Sequence, residues 1–261
     1  MGSRRQRTDV KWIRLQEICL ALVDNKLTLH VHGSTDLPID LRAAVSQEGQ
    51  RVDIVMNLLY NKNLEDVIDS LAHEMTHIVR GVGDEGHGPK FNRKWKELRK
   101  SMTHEYQDLE LLAKARSLAK AHLAGCVDKA GKPKFGHAER VADKLTPTID
   151  KTVAFLHDLL EDTKYGADQL KQDFPAKIAE AVRALTREDK SEDYMTYIRR
   201  VAENPLAIRV KLADLRDNLS PDRPILDDQA LAADLKARYE KALEFLVPIS
   251  EKQAKQASEP E

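Results

Sequence analysis

Two short stretches of the chain combine residue types and spacings suited to metal chemistry. The first, LAHEMTHIVRGVGDEGHGPKF (71–91), sets His73 and His77 four residues apart, with Glu74 between them. Residues i and i+4 share one face of a helix, so both imidazoles can reach one zinc ion while Glu74 points toward a water on it. The ion lowers the pKa of that water, and Glu74 is suited to take its proton and hand it to a leaving amine. A third protein ligand is still required. His87 is the candidate, because Gly81, Gly83, Gly86 and Gly88 let the chain turn back sharply after the helix.

The second stretch, FLHDLLEDT (155–163), gathers His157, Asp158, Glu161 and Asp162. On one helix His157 and Glu161 are i, i+4 neighbours, and so are Asp158 and Asp162. Carboxylates beside a histidine within an apolar helix are unfavourable unless a cation compensates them. Histidine with hard carboxylates suits an octahedral ion such as Mn²⁺ better than tetrahedral structural zinc. Two further ligands must come from elsewhere: His137, which opens a helix, and Asp214, inside VKLADLRDN (210–218).

The elements that must position these residues differ in style along the chain. VKWIRLQEICLALVD (10–24) has helical apolar spacing, LTLHVHG (27–33) alternates like a strand, and VDIVMNLLY (52–60) is a β-rich run. Residues 63–79 read as a helix with Asn63 as N-cap and Glu65 and Asp66 in its first turn. Phe91, Trp95, Leu98 and Met102 then form a core-facing helical stripe. From about Leu109 the chain reads as helix throughout, in segments 109–124, 137–145, 148–162, 175–187, 191–203, 205–219 and 227–246. Pro147, Pro175 and Pro205 stand where helices begin, where a missing N–H does no harm. The boundary is expected near residues 103–108, giving an α+β domain over 1–105, an all-α domain over 106–248 and a disordered polar tail over 249–261.

Composition narrows the setting. The chain has 261 residues, 41% hydrophobic and 33% charged, which fits a water-exposed, helix-rich protein of two modest domains. Lys+Arg (42) nearly balance Asp+Glu (43), so no net field argues for nucleic acid or a membrane surface as an obligatory partner. Two cysteines, Cys19 and Cys126, read as thiols in a reducing compartment, and they cannot make a cysteine-based zinc ribbon. No secretion signal and no apolar run of about 18 residues is present, so the cytoplasm is the expected address. The basic residues from Lys90 to Lys100 read as the solvated side of the Phe91 helix rather than a nucleic-acid face.

Two resemblances give these motifs a family context. With His87–Gly88–Pro89–Lys90–Phe91 following HEMTH, residues 10–102 resemble the SprT-like metallopeptidases, whose third histidine completes the zinc site. The resemblance implies a zincin-like fold of a small sheet plus the HExxH helix, with a protein substrate. AHLAGCVDKAGKPKFGH (121–137), HDLLEDT (157–163), ALTR (184–187) and the segment 192–218 together resemble the HD-type hydrolase domain of Rel/SpoT proteins and their small relatives. That resemblance implies removal of the 3′-pyrophosphate of ppGpp and pppGpp with Mn²⁺. By position, His137, His157, Asp158 and Asp214 would hold the metal, and Glu161 and Asp162 would orient and activate water. Asn218 would contact the nucleotide and Lys129 its phosphates. The sequence departs from that family at Lys134, where it usually has tyrosine, at Ala138, where it has proline, and at Asp128. The expectation is therefore a zincin-like domain fused to an all-α HD phosphohydrolase acting on an alarmone or related nucleotide. Two alternatives stay open: a peptidase gated by a nucleotide-sensing HD domain, and a metal-stabilised binding protein without catalysis.

Overall fold

The computed structural model describes residues 2–23, 27–38, 40–80, 87–127, 131–187, 189, 191–221 and 229–258, with side chains over 12–256. The chain divides into two compact units, Met1–Leu109 and Glu110–Glu261.

In the first unit, helix α1 (Gly2–Leu22) leads into a three-stranded sheet of β1 (Thr28–Ser34), β2 (Ala43–Glu48) and β3 (Arg51–Asn57). The order is β1-β3-β2, with β1 parallel and β2 antiparallel to β3. Gly49, at φ +60°, turns the chain from β2 into β3, a conformation that side-chain-bearing residues rarely adopt. Gly33 allows a close approach: a Cβ there would fall 2.6 Å from Leu58 and 2.8 Å from the Trp12 ring. Helix α2 (Leu64–Arg80) packs on β2 and β3 through Val67, Ile68, Leu71, Ala72 and Met75. Its start is fixed as the sequence suggests, the Asn63 side-chain oxygen accepting the Asp66 N–H at 2.9 Å. Leu15, Ile18, Leu29, Val52, Ile54 and Met56 close the core from the other elements.

Helix α3 (Pro89–His122) runs through the division between the units. The core-facing stripe from Phe91 and the segment read from residue 109 as a separate helix are therefore one continuous helix. The segment between Pro89 and His122 holds no internal glycine or proline, and nothing in it interrupts the backbone ladder.

The second unit adds α4 (Lys134–Asp143), α5 (Thr148–Leu156), α6 (Leu159–Asp162), α7 (Ala167–Asp173), α8 (Ala176–Leu185), α9 (Tyr194–Ala202), α10 (Pro205–Asn218) and α11 (Gln229–Ser258). Helix α10 is central, packing against α4, α5, α8, α9 and α11. Its buried residues run almost all round it, which explains how Asp214 and Asp217 come to be enclosed among Leu206, Ile208, Val210, Leu212 and Leu215. Its N-terminus is held by Asn204, whose side-chain oxygen accepts the N–H of Leu206 and Ala207.

Two further expectations are corrected. The helix foreseen over 148–162 breaks at His157–Asp158 into α5 and α6, where Asp158 sits at φ −94°, ψ −6°. The tail foreseen as disordered from residue 249 is helical as far as Ser258, because EKQAKQAS consists mostly of good helix formers and prolongs α11. Strand β2 and helix α7 carried no usable sequence signal: AAVSQE lacks alternation of apolar residues, and ADQLKQD buries only Leu170.

Candidate functional site

The histidines and carboxylates of the second unit converge from three helices. His137 lies on α4, His157 at the end of α5 and Asp214 on α10; all three are buried, with ligand atoms within 4.8 Å of one another. The His157 Nδ1–H donates to the Ala154 carbonyl at 2.6 Å, which leaves the Nε2 lone pair facing the cluster. That Nε2 is buried and has no hydrogen-bond partner, since Asp158 Oδ1, at 3.3 Å, is out of line for one. Asp158 thus stands beside the trio, on the turn that interrupts the helix.

His137 has carboxylates on both sides, Asp214 Oδ1 at 3.0 Å from Nε2 and Asp217 Oδ2 at 2.8 Å from Nδ1. Burial lowers its pKa, but the two carboxylates outweigh burial and push it up to about 9. Asp214 is held well below the usual carboxylate range: burial raises it, while the Lys211 ammonium, 2.9 Å away, and the two histidines lower it further. Asn218, the residue expected at the nucleotide, donates to Asp214 Oδ1 at 2.6 Å.

Glu161 accepts the Arg187 backbone N–H at 2.6 Å through one oxygen. Desolvation raises its pKa above the usual range, with the nearby Asp158 charge adding to this. Asp162 is ion-paired with Lys134, whose ammonium also lies 4.0 Å from Asp158. Lys129 lies outside the described residues. Sequence reasoning missed the roles of Lys134, Lys211 and Asp217. Lys211 and Asp217 each stand three residues from Asp214 on α10, a spacing that could have flagged them. Lys134 reaches Asp162 across a separation that no local pattern reveals.

A second cluster forms in the first unit. His73 and His77 on α2 and His87 before α3 present ligand nitrogens within 4.8 Å of one another. His73 Nε2 lies 3.3 Å from His77 Nε2 and 3.2 Å from His87 Nε2. Phe91, buried beneath them, packs its ring 4.7 to 5.1 Å from all three imidazoles. Glu74 shares with His73 and His87 a cavity of about 450 Å³ that also includes Arg42, Asp69, Asn92 and Trp95. Burial raises the Glu74 pKa, and burial with the neighbouring histidines lowers that of His73. Gly81, Gly83 and Gly86, expected to turn the chain back, lie outside the described residues.

No family model matches the chain. The guanosine-3′,5′-bis(diphosphate) 3′-pyrophosphohydrolase of Aquifex aeolicus is 32% identical over 134 residues, covering 47% of this chain and 19% of that protein. The enzyme of the same name from Haemophilus influenzae is 33% identical over 76 residues, covering 25% of this chain and 11% of that protein. The chain therefore spans less than a fifth of the length of either relative. A solved structure described as a metazoan ortholog of SpoT that hydrolyses ppGpp and plays a role in starvation responses is 20% identical, with a TM-score of 0.41. The match covers 57% of this chain and 96% of that one. Similarity to ppGpp 3′-pyrophosphohydrolases is thus established over part of the sequence, and none of these matches bears on the SprT-like resemblance. No helix among the described residues is long and apolar enough to cross a membrane.

Proposed function

We propose that the second unit is a metal-dependent phosphohydrolase that removes the 3′-pyrophosphate of a guanosine alarmone or cleaves a related nucleotide. One observation carries this reading: the buried His157 Nε2, without a hydrogen-bond partner, faces His137 and Asp214 in a space that fits a cation. His137, His157, Asp158 and Asp214 would hold the ion, and two imidazoles with hard carboxylates suit Mn²⁺. When bound, such an ion neutralises phosphate charge and acidifies a water. Glu161 keeps one carboxylate oxygen on the Arg187 N–H and has the other to accept the proton of the attacking water, a task its raised pKa favours. Lys134 holds Asp162 in an ion pair, and Lys211 and Asn218 hold Asp214 in place. Lys129 would meet the phosphates. The test is to incubate the chain with Mn²⁺ and ppGpp, pppGpp, NADPH or deoxynucleoside triphosphates, and to compare it with Asp158→Asn. Pyrophosphate release from ppGpp that drops to background in the variant is expected. No consumption of any nucleotide, or equal rates for the two proteins, sinks the reading.

A second centre is favoured by the nitrogen spacings in the first unit. For Zn–N bonds of about 2.0–2.1 Å, the edge of a tetrahedron is about 3.3–3.4 Å. The His73–His77 and His73–His87 separations of 3.3 and 3.2 Å match that edge, and one Nε2 cannot hydrogen-bond both neighbours at once. His73, His77 and His87 would therefore hold Zn²⁺ in a SprT-like, zincin-type site, with Glu74 as proton acceptor toward a peptide bond. The expected result is about one zinc per chain, lost in His87→Ala. Cleavage of a disordered protein such as casein should be lost in Glu74→Gln. A chain that retains its zinc without His87 would contradict the ligand set. Zinc with no cleavage would leave this centre a structural one.

A further inference from the structure

We infer that Asp217 is a positioning residue for the metal centre of the second unit, fixing the His137 ring so that its Nε2 lone pair, not its Nδ1, faces the ion. The inference rests on the phosphohydrolase reading for the existence of that centre, and on hydrogen-bond geometry for the role. Asp217 follows the ligand Asp214 by one helical turn on α10, and its side chain is only 2% exposed. Its Oδ2 accepts the His137 Nδ1–H at 2.8 Å, on the side of the ring opposite Nε2 and Asp214. The Ala154 carbonyl takes the corresponding place behind His157. Each metal-facing histidine thus has an acceptor at Nδ1, the arrangement that selects the tautomer and raises ligand basicity in metal sites.

Asp217 is itself held in place. Lys144 donates to Oδ1 at 2.7 Å, while Arg140 donates through Nε to Oδ1 at 3.2 Å and through its terminal nitrogen to Oδ2 at 3.1 Å. The carboxylate therefore has donors on both oxygens and cannot rotate away from His137 without breaking these bonds. This arrangement gives a specific consequence for Asp217→Asn. Lys144 and Arg140 offer only donors, and Arg140 reaches Oδ2 through both its Nε and its terminal nitrogen, so either orientation of the amide sets its NH₂ against a cation, and the one that keeps the carbonyl on Lys144 turns the NH₂ toward His137. In that orientation Nδ1 accepts, the proton moves to Nε2 and the lone pair needed by the ion is lost; in the other, the acceptor at Nδ1 is kept only at the cost of an NH₂ facing Lys144.

The experiment is a calorimetric Mn²⁺ titration in a His87→Ala background, which keeps the first-unit cluster from contributing. Asp217→Asn is expected to weaken binding roughly 10- to 100-fold. Adding Lys144→Met to Asp217→Asn frees the amide to present its carbonyl to His137, and part of the affinity should return. A structural role for the ion-pair cluster alone gives the opposite order, because the double variant would then be the weaker binder. Should Asp217→Asn not fold, ¹⁵N-histidine spectra of the Cd²⁺-loaded parent carry the test, with His137 assigned by its loss in His137→Gln. Metal at Nε2 and a proton on Nδ1 are expected. Metal at Nδ1, or unchanged affinity in Asp217→Asn, overturns the inference while leaving the phosphohydrolase reading intact. A parent that binds no divalent ion at this centre overturns that reading as well.

Discussion

Cys19 and Cys126 show how position on one side chain decides chemistry. Cys19 is wholly buried, and burial alone pushes its thiol up to about 12; Cys126 is half-buried and free. Only a thiolate reacts with alkylating reagents, so at pH 8 iodoacetamide should modify Cys126 in the native chain and reach Cys19 only after unfolding. Mass mapping of the two peptides checks this, and early labelling of Cys19 would show that the α1 core opens readily. At the same scale, the sequence announced the residue types of both candidate metal centres through short motifs. It did not announce their arrangement. His157 and Asp158 were placed on a continuous helix, whereas they occupy a turn. Asp217 meets His137 across 80 residues, a distance over which spacing carries no information. Lys134 stood out only as a lysine where the resembled family usually has tyrosine, and its pairing with Asp162 depends on the packing of separate helices.

Helix α10 is tied to α5 by a contact of a kind that single residues cannot provide. Asp150 on α5 has a fully buried side chain and receives two hydrogen bonds from the Arg209 guanidinium, at 2.5 and 2.7 Å. Removing the cation leaves a buried carboxylate without its partner, which costs about 3–5 kcal/mol in a fully buried pair and less here, where Arg209 is 42% exposed. Arg209→Met should accordingly lower the urea midpoint of the chain markedly with little change in slope. A midpoint within the scatter of the parent would mean that water reaches Asp150 and replaces the arginine. Most helices were legible because their apolar residues repeat at helical spacing and proline or asparagine marks their starts, as at Pro147, Pro175 and Asn204. Strand β2 was not, because its residues have little strand preference and form a strand only by pairing with β3. The Phe91 stripe and the segment from 109 were read as separate helices although they form one, since a change of composition does not by itself interrupt a helix.

Across the whole molecule, the two candidate centres make stability depend on solution conditions. His137 carries a folded-state pKa of about 9 against an ordinary value near 6.5. Its charged form therefore stabilises the fold fully below about 6.5, and that contribution is lost as pH rises through about 9. With a chelator present, the melting temperature should fall between pH 7 and pH 10. Saturating Mn²⁺ should raise it, by about 2.7 kcal/mol of stability at a hundredfold excess over Kd. A chelated protein that melts alike at both pH values would show that the His137 charge contributes nothing. The interruption between α5 and α6 has a wider consequence. Neighbouring residues on a regular helix point about 100° apart, and the two proposed ligands His157 and Asp158 stand on the turn where that regular spacing is interrupted. Substitutions that restore helical hydrogen bonding there would make the protein harder to unfold and poorer at holding the proposed ion. Thermostability screens and activity screens on this chain should then select opposite changes at the same turn.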